Sequence, residues 1–437
     1  MKRTAIVLLL IMALLFSVAA GAVEVSSAIE NFWVPKAPMP QTELGLRAVA
    51  VNGRIYVMGD SINYEYDPVT NSWIAKAPMP TPRNEFQIAV SQNKIYTIGG
   101  RSGWTSATGP IDSGTNELYD PSTDTWETMK LMPTNRSGLG ASVVNGKIHL
   151  IGADIHEVYD VYADSWTTGQ LLPLPLLVYG YSSTVVNNKI YVIAWNQTHI
   201  YDAKSDSWSL GASPIINVSG SGVCATTGIM APKRIYVIGG ALGFEGTDKT
   251  QIYDPKSDTW TLGAHMPTDR LGLTVAVVND QIYAIGGLGS AIFSRPLQTI
   301  EQYTPSGYGT PDPTYDGASP KITLKPPKNE TYYSSSITLE FSVNEPVSWM
   351  CYKLDNETIV EISGNTTING LSFGLHNLTV YATDDSDNTG VSETIYFTVS
   401  ETFPTALVMA SIVSVAVIGV GLLVYFKKRR MKSGDEK

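Results

Sequence analysis

The feature that most limits the fold is an ordered pattern that returns six times. Its core is a strand-like Ile-Tyr segment: Arg54-Ile55-Tyr56-Val57-Met58-Gly59, Lys94-Ile95-Tyr96-Thr97-Ile98-Gly99-Gly100, Lys147-Ile148-His149-Leu150-Ile151-Gly152, Lys189-Ile190-Tyr191-Val192-Ile193, Arg234-Ile235-Tyr236-Val237-Ile238-Gly239-Gly240 and Gln281-Ile282-Tyr283-Ala284-Ile285-Gly286-Gly287. A tyrosine follows each, usually ahead of Asp: Tyr66-Asp67, Tyr119-Asp120, Tyr159-Asp160, Tyr201-Asp202, Tyr253-Asp254 and Tyr303-Thr304. Seven residues after each of the first five stands a tryptophan: Trp73, Trp126, Trp166, Trp208 and Trp260, with Trp33 ahead of them all. Spacings of 40, 53, 40, 42 and 52 residues between tryptophans suit an array of small sheets.

Each unit reads as four short strands. Residues 48–51 turn at Asn52-Gly53, a pair suited to a tight hairpin, into the Ile-Tyr strand. That strand often ends at Gly-Gly, which admits φ > 0 and close backbone approach. The third strand ends in Tyr-Asp, followed by proline at Pro68, Pro121 and Pro255, a good β-turn opening. The fourth carries the tryptophan and runs into a loop that is often Met-Pro. One such sheet buries too little by itself, so the units must pack face to face around a ring.

These residues resemble the kelch repeat, over residues 30–304, about 60% of the 437-residue chain. The resemblance implies an all-β fold with a six-bladed β-propeller, one blade per repeat. Six triples of strands and six tryptophan strands are present but out of phase. Thr310 stands where the last tryptophan is due, and Trp33 has no triple before it. The Trp33 strand is therefore expected to complete blade 6. Departures from the pattern are Ala194-Trp195 in place of Gly-Gly, Gly59-Asp60, Gly152-Ala153, and His149 in place of tyrosine.

Charge divides the chain. The formal net charge is −10; with the first 22 residues (+2) and last eleven (+4) set aside, the rest carries −16. Such an exterior repels phosphate backbones, so no nucleic-acid partner is expected. Residues 1–22 read as a secretory signal: Lys2 and Arg3, an apolar run, then Ala20-Gly21-Ala22. Residues 405–426 carry no charge and are followed by Lys427-Lys428-Arg429-Arg430. They read as one transmembrane helix with residues 427–437 as a basic cytoplasmic tail. The expected product is a single-pass cell-membrane protein with its N-terminal bulk outside. Asn-x-Ser/Thr triplets at Asn135, Asn196, Asn217, Asn329, Asn356, Asn365 and Asn377 fit an external surface. Cys224 and Cys351 read as separate buried thiols.

Residues 305–319, rich in Pro, Gly and Asp, read as a linker. Period-two alternation follows over 320–400: Ile337, Leu339, Phe341 and Val343; Leu378, Val380 and Ala382; Ile395, Phe397 and Val399. It resembles the immunoglobulin-like β-sandwich of microbial surface proteins, which implies a stalk.

Signals for catalysis are weak. His149, His156, His199, His265 and His376 show no metal-ligand spacing. The cysteine, tyrosine and histidine set of kelch copper radical oxidases cannot be placed, and no cofactor is implied. Asp384, Asp385, Ser386, Asp387 and Asn388 could chelate Ca²⁺, but lack the full loop spacing and read more simply as a polar turn. The glycine-rich run 219–222 lacks a phosphate-loop context and reads as an inner strand.

Ligand candidates lie on the face where loops enter strand one and leave strand two. Twelve residues before the Ile of each Ile-Tyr strand stand Glu43, Arg83, Arg136, Val178 and Arg270, with Val218 equivalent in blade 5. Loops after strand two add Trp104, Trp195, Phe244 and Phe293. Arginines and aromatics at loop tips suit acidic peptides or sugars. Equally, the arginines can pair with blade carboxylates and the aromatics can pack under their own loops. The expected function is recognition or adhesion toward an extracellular protein or glycan. The alternatives are a surface carbohydrate-active enzyme of sugar-oxidase or sialic-acid mutarotase type, and a purely structural envelope role.

Overall fold

The computed structural model describes residues 30–105, 109–152, 155–173, 182–194, 196–290, 295–313, 317–355, 359–384, 388–401, 417–425 and 427. Two compact units divide at Gly317/Ala318.

In the first unit every repeat becomes a four-stranded antiparallel sheet, here called a blade. Blade 1 is Arg47–Val51, Arg54–Met58, Asn63–Asp67 and Ser72–Ala75. Blades 2 to 5 repeat this order, starting at inner strands Gln87–Ser91, Gly140–Val144, Ser182–Val186 and Gly222–Ala225. Blade 6 is composite: Thr274–Val278, Gln281–Ile285 and Ile300–Thr304 take Phe32–Pro35 as their outer strand. Trp33 lies opposite Tyr303 in that register. The inner strands touch their neighbours in a closed cycle, blade 6 against blade 1 included. That cycle makes the ring.

The hairpins between first and second strands form as their residues dictate. Asn52-Gly53, Gln92-Asn93, Asn145-Gly146, Asn187-Asn188 and Asn279-Asp280 all have positive φ at both positions, the requirement of a type I′ turn. Gly-Gly has a different purpose. The Gly100 amide donates to the Arg136 carbonyl of the next blade at 2.8 Å, and a Cβ on Gly99 would lie 2.6 Å from that oxygen. The Met-Pro loops bury Met39, Met79, Met132 and Met266 beneath the sheets.

One contact repeats at all six blade junctions. The third-strand tyrosine donates its hydroxyl to an Asx side chain five residues on: Tyr66 to Asn71, Tyr119 to Asp124, Tyr159 to Asp164, Tyr201 to Asp206 and Tyr253 to Asp258, at 2.6–2.7 Å. Each of these Asx oxygens also accepts a backbone N–H of the preceding blade, that of Ala37, Ala77, Lys130, Gln170 or Ala212. The tryptophan two residues later donates Nε1 to the carbonyl of that same residue at 2.9–3.0 Å. Blade 6 receives the set from the chain's start: Tyr303 donates to Asn31, Asn31 accepts from Ala264, and Trp33 donates to Ala264. Second-strand tyrosines add edge-on contacts to the next blade, including Tyr283 on Tyr66 across the closure at 6.0 Å.

The expected linker is not free chain over its first part. Within the first unit Gly309 donates to the Met230 carbonyl (2.7 Å) and Asp312 to that of Gly228 (2.9 Å). The lengthened blade 5 hairpin beneath is held by the buried Asp280 carboxylate. It accepts the Thr227, Met230 and Ala231 amides at 2.6, 2.7 and 3.0 Å.

The second unit is also all β. Strands Thr331–Tyr332, Ile395–Val399, Gly374–Thr383, Trp349–Leu354 and Val360–Glu361 form one sheet in that order, with Thr389–Val391 paired on Gly374–Thr383. Ile322–Leu324 pairs with Phe341–Val343, and Ile337–Leu339 with Thr366–Ile368. Alternating residues Ile337, Leu339, Phe341, Leu378, Val380, Phe397 and Val399 meet in one core.

Residues 1–22, expected to be a signal, lie outside the described residues. So do most of the expected tail and residues 405–416 and 426 of the expected span; 417–425 form one short helix. No helix among the described residues is long and apolar enough to cross a membrane.

Replacing Asn31 and Trp33 together by alanine removes the sixth set of junction contacts. Stability should fall by about 3 kcal/mol and Tm by roughly 5–10 °C. An unchanged thermal unfolding curve would show that the ring does not rely on its N-terminal strand.

Candidate functional site at the channel mouth

The first residues of the six inner strands, Arg47, Gln87, Gly140, Ser182, Gly222 and Thr274, share one register. Each pairs with the last or penultimate residue of the second strand: Met58, Ile98, Ile151, Ile193, Ile238 or Ile285. They form a circle at one end of the ring axis, around a cavity of about 300 Å³. A second chamber of about 310 Å³, sharing part of that wall, continues along the inner strands between residues such as Val90, Val143, Ala225 and Val277.

Small residues open this mouth. Gly222 cannot be larger, because a Cβ there would lie 2.4 Å from Val275. The hydroxyls opposite are used between blades. Thr274 Oγ1 accepts the Ala48 amide at 2.9 Å, Ser142 donates to Ser183 at 2.9 Å, and Ser182 donates to the Ser221 carbonyl at 3.1 Å.

Two lining groups are not used in this way. Gln87 is 9% exposed, and its side-chain amide has no hydrogen-bond partner among the described residues. Arg47 is the one charged residue of the described wall. It is half-buried, and its guanidinium donates only to its own Leu46 carbonyl, at 3.0 Å. Burial lowers the Arg47 pKa, while the Glu85 carboxylate opposes that shift. A guanidinium short of acceptors beside an unpaired amide can receive a carboxylate or a peptide-like group.

The residues expected at the site fare differently. Arg83 and Arg270 are wholly buried, which removes them from the ligand face. Arg83 pairs with Glu117 and donates to the carbonyls of Gly99 (2.9 Å), Thr81 (2.9 Å) and Thr97 (2.8 Å). Arg270 pairs with Glu301 at 2.7 Å and donates to the Gly286 carbonyl at 3.0 Å. Both clamp the incoming loop onto the end of the second strand; burial lowers both pKa values and the paired carboxylates oppose it. Glu43 accepts the Ser61 amide at 3.2 and 3.3 Å, closing its own blade's loop. Arg136 is half-buried and Val218 buried.

Phe244 is 79% exposed, near the tip of the hairpin formed by Ala241–Leu242 and Glu245–Gly246. Trp104 lies on strand Arg101–Thr105, opposite Pro110, with its side chain outside the described residues. Trp195, Phe293 and Val178 lie outside them as well. The sequence pattern starts the blade 1 inner strand at Ala48, whereas the strand begins at Arg47; the signal for Arg47 is its place two residues after Gly45, a spacing repeated at Gly138-Gly140 and Gly220-Gly222.

Comparison with known proteins agrees with this architecture. A family model described as "Kelch motif" matches residues 82–133 and 269–307. The chain carries kelch motifs. Both matches begin one residue before a buried arginine, Arg83 or Arg270, in keeping with a structural place for the clamps. "Kelch-like protein 35" of Mus musculus is 46% identical over 63 residues, 14% of this chain and 11% of that protein. "Halomucin" of Haloquadratum walsbyi is 30% identical over 149 residues, 32% of this chain and 2% of that protein. The chain thus spans a small part of the curated relatives' length. The solved "Structure of YjhT" aligns with a TM-score of 0.52 at 15% identity, covering 60% of this chain and 95% of that one. That likeness extends to the fold.

Off the mouth, kelch blade 3 brings two histidines together that linear spacing did not. His149 Nδ1 meets His156 Nε2 at 2.9 Å, and His156 Nδ1 meets the Gln170 carbonyl at 2.8 Å. That carbonyl fixes the proton on His156 Nδ1, so His149 donates to His156 and both rings are neutral. Burial and the His156 and Lys147 charges bring the His149 pKa down to about 3, while burial lowers that of His156. Among the described residues no cluster of three His, Cys, Asp or Glu could hold a metal. In the second unit Asp384 accepts the Asn388 amide and side chain, each at 2.9 Å, as a polar turn does; residues 385–387 lie outside the described residues.

Folded-state pKa values below the unfolded value of 6.5 mean that unfolding takes up protons at acid pH. The pair's contribution is intact above pH 6.5 and is lost progressively as pH falls from there toward the folded His149 value of about 3. His149→Tyr, the residue of the other five blades, should reduce the fall in Tm between pH 7 and pH 4.5; an identical pH profile in the two proteins would contradict this. Arg83→Ala leaves Glu117 buried and alone, and should cost about 3–5 kcal/mol in denaturant unfolding. A neutral result would return Arg83 to the list of ligand residues.

Proposed function

We propose that this kelch-repeat protein is a recognition protein, binding an acidic peptide or carboxylated glycan at the channel mouth. The observation that carries the reading is the pair Arg47 and Gln87, one half-buried cation with spare donors and one unpaired amide, lining a 300 Å³ cavity. Residues 23–426 carry a net charge of −16, which makes a cation with spare donors at the mouth a distinct place for an anionic group. Phe244, on the rim of blade 5, supplies exposed aromatic surface of the kind that anchors interfaces.

The finer reading is a cell-surface receptor or adhesin. Its support is the uncharged stretch 405–426 with the cationic run after it, the signal-like first 22 residues, and the seven glycosylation triplets. The second unit, immunoglobulin-like in its alternation, would act as a stalk.

The full chain, immobilised and screened against acidic peptides and carboxylated glycans, should retain ligands that Arg47→Ala binds at least about ten-fold more weakly, the value of one charge-assisted hydrogen bond. Thermal stability should be unchanged, because Arg47 holds nothing but its own backbone. Equal retention by wild type and variant would remove the mouth from consideration.

A further inference from the structure

The first unit holds three of the Asn-x-Ser/Thr triplets, at Asn135, Asn196 and Asn217, and its folding brings all three to the mouth. Asn135 is in the loop from the blade 2 outer strand Thr125–Thr128 to the blade 3 inner strand Gly140–Val144. Asn217 is in the matching loop from Ser207–Gly211 to Gly222–Ala225. Inner strands start at the mouth, so both loops reach it. Asn196 belongs to the two-residue turn of blade 4 at which Ala194 pairs with Gln197, and second strands end at the mouth. Consecutive blades 3, 4 and 5 therefore each present one triplet there.

Asparagine supply does not explain this placement. At the other end of the ring, Asn52, Asn93, Asn145, Asn187, Asn188 and Asn279 occupy the turns between first and second strands. None of them has Ser or Thr two residues on. Blades 6, 1 and 2 carry Asp269, Thr42 and Pro82 where blades 3 and 5 have Asn135 and Asn217. The half of the mouth without triplets is thus the half that holds Arg47 and Gln87.

The side chains suit modification. All three asparagines are exposed, and none has a side-chain hydrogen bond among the described residues. Gly114 makes room for Asn135, since a Cβ on it would lie 2.7 Å from Asn135 Oδ1. The hydroxyl two residues on, which completes the acceptor triplet, differs among the three. That of Ser219 has no hydrogen bond among the described residues, and Ser137 donates to Asp112 at 2.8 Å. Thr198 is wholly buried and donates to the Ala212 carbonyl at 2.8 Å.

We propose that Asn135, Asn196 and Asn217 are N-glycosylated, so that a crescent of sugars covers the blade 3 to 5 half of the mouth and leaves the Arg47 and Gln87 half open. This rests on the reading of the chain as a cell-surface protein, because the donor is a lipid-linked oligosaccharide used outside the cytoplasm. Asn Nδ2 forms a bond to C1 of the first sugar as the C1–O bond to the lipid's phosphate breaks. The phosphate leaves with the electron pair, and the amide proton passes to a base of the transferase.

Because the Thr198 hydroxyl is buried in the finished blade, the full chain is taken from the cells that make it rather than modified after purification. Proteolysis and mass spectrometry should find a carbohydrate mass on each of the peptides that contain Asn135, Asn196 and Asn217. Asn135→Gln, Asn196→Gln and Asn217→Gln should each lower the intact mass by one glycan. Each should leave Tm unchanged, since none of the three side chains holds a hydrogen bond. A bare peptide at any one of the three, with sugar at any other triplet, would overturn the crescent and leave the surface reading standing. A chain without sugar at any triplet, Asn329, Asn356, Asn365 and Asn377 of the second unit included, would overturn both.

Discussion

The junction contact of tyrosine, Asx and tryptophan is what the rest of the molecule depends on. A blade has too little surface to bury by itself, and the contact links each blade to the one before it through two hydrogen bonds at a half-buried seam, while a third, from tyrosine to Asx, orients the Asx within its own blade. The Asx residue makes it possible. Its backbone takes positive φ at all six junctions, 44–57°, which a short polar side chain tolerates better than most. From that position one oxygen reaches both the tyrosine hydroxyl and the preceding blade's amide. The tryptophan then covers the pair. The recurrent triplet in the sequence is thus one contact that acts both within a blade, from tyrosine to Asx, and between blades, from Asx and tryptophan to the blade before.

A closed ring of this kind gathers six strand ends at one point, and the residues there decide what the point can do. Glycine and serine keep it open; the serines and threonine hold blades together. The blade 1 and blade 2 wall breaks the symmetry with Arg47 and Gln87. Two other loop arginines, Arg83 and Arg270, are instead bound inward by Glu117 and Glu301. One arginine type therefore has two physical roles a short distance apart, separated by whether a third-strand carboxylate faces it.

That difference explains what could be read from the chain and what could not. Strand order, the hairpin turns and the composite sixth blade all follow from local residues with fixed spacing. The site does not. Arg83 and Arg270 stand beside loops in the sequence, and their burial shows only when Glu117 and Glu301, each two residues before a third-strand tyrosine, are counted with them. His149 and His156 meet through strand register, since Ile151 lies opposite His156; no linear spacing rule covers that case. Arg47 looked like the end of a loop. Its signal was the glycine two positions earlier. Asn31 could be found in the same way, as the Asx two residues before Trp33.

The composite blade also has a meaning in time. Asn31 and Tyr303 are 272 positions apart, so the strand that leaves the ribosome first among the described ones is the last to find its place. Until the Ile300–Thr304 strand has been made, the N-terminal strand has no partner, and its aromatic edge is a liability that some other surface must cover. Closing so long a loop carries an entropic cost that no local contact offsets. Five blades can form as they are synthesised; the sixth waits for both ends of the ring. A chain interrupted before Ile300 is then an open arc with two uncovered blade faces and an N-terminal strand that lacks its partner.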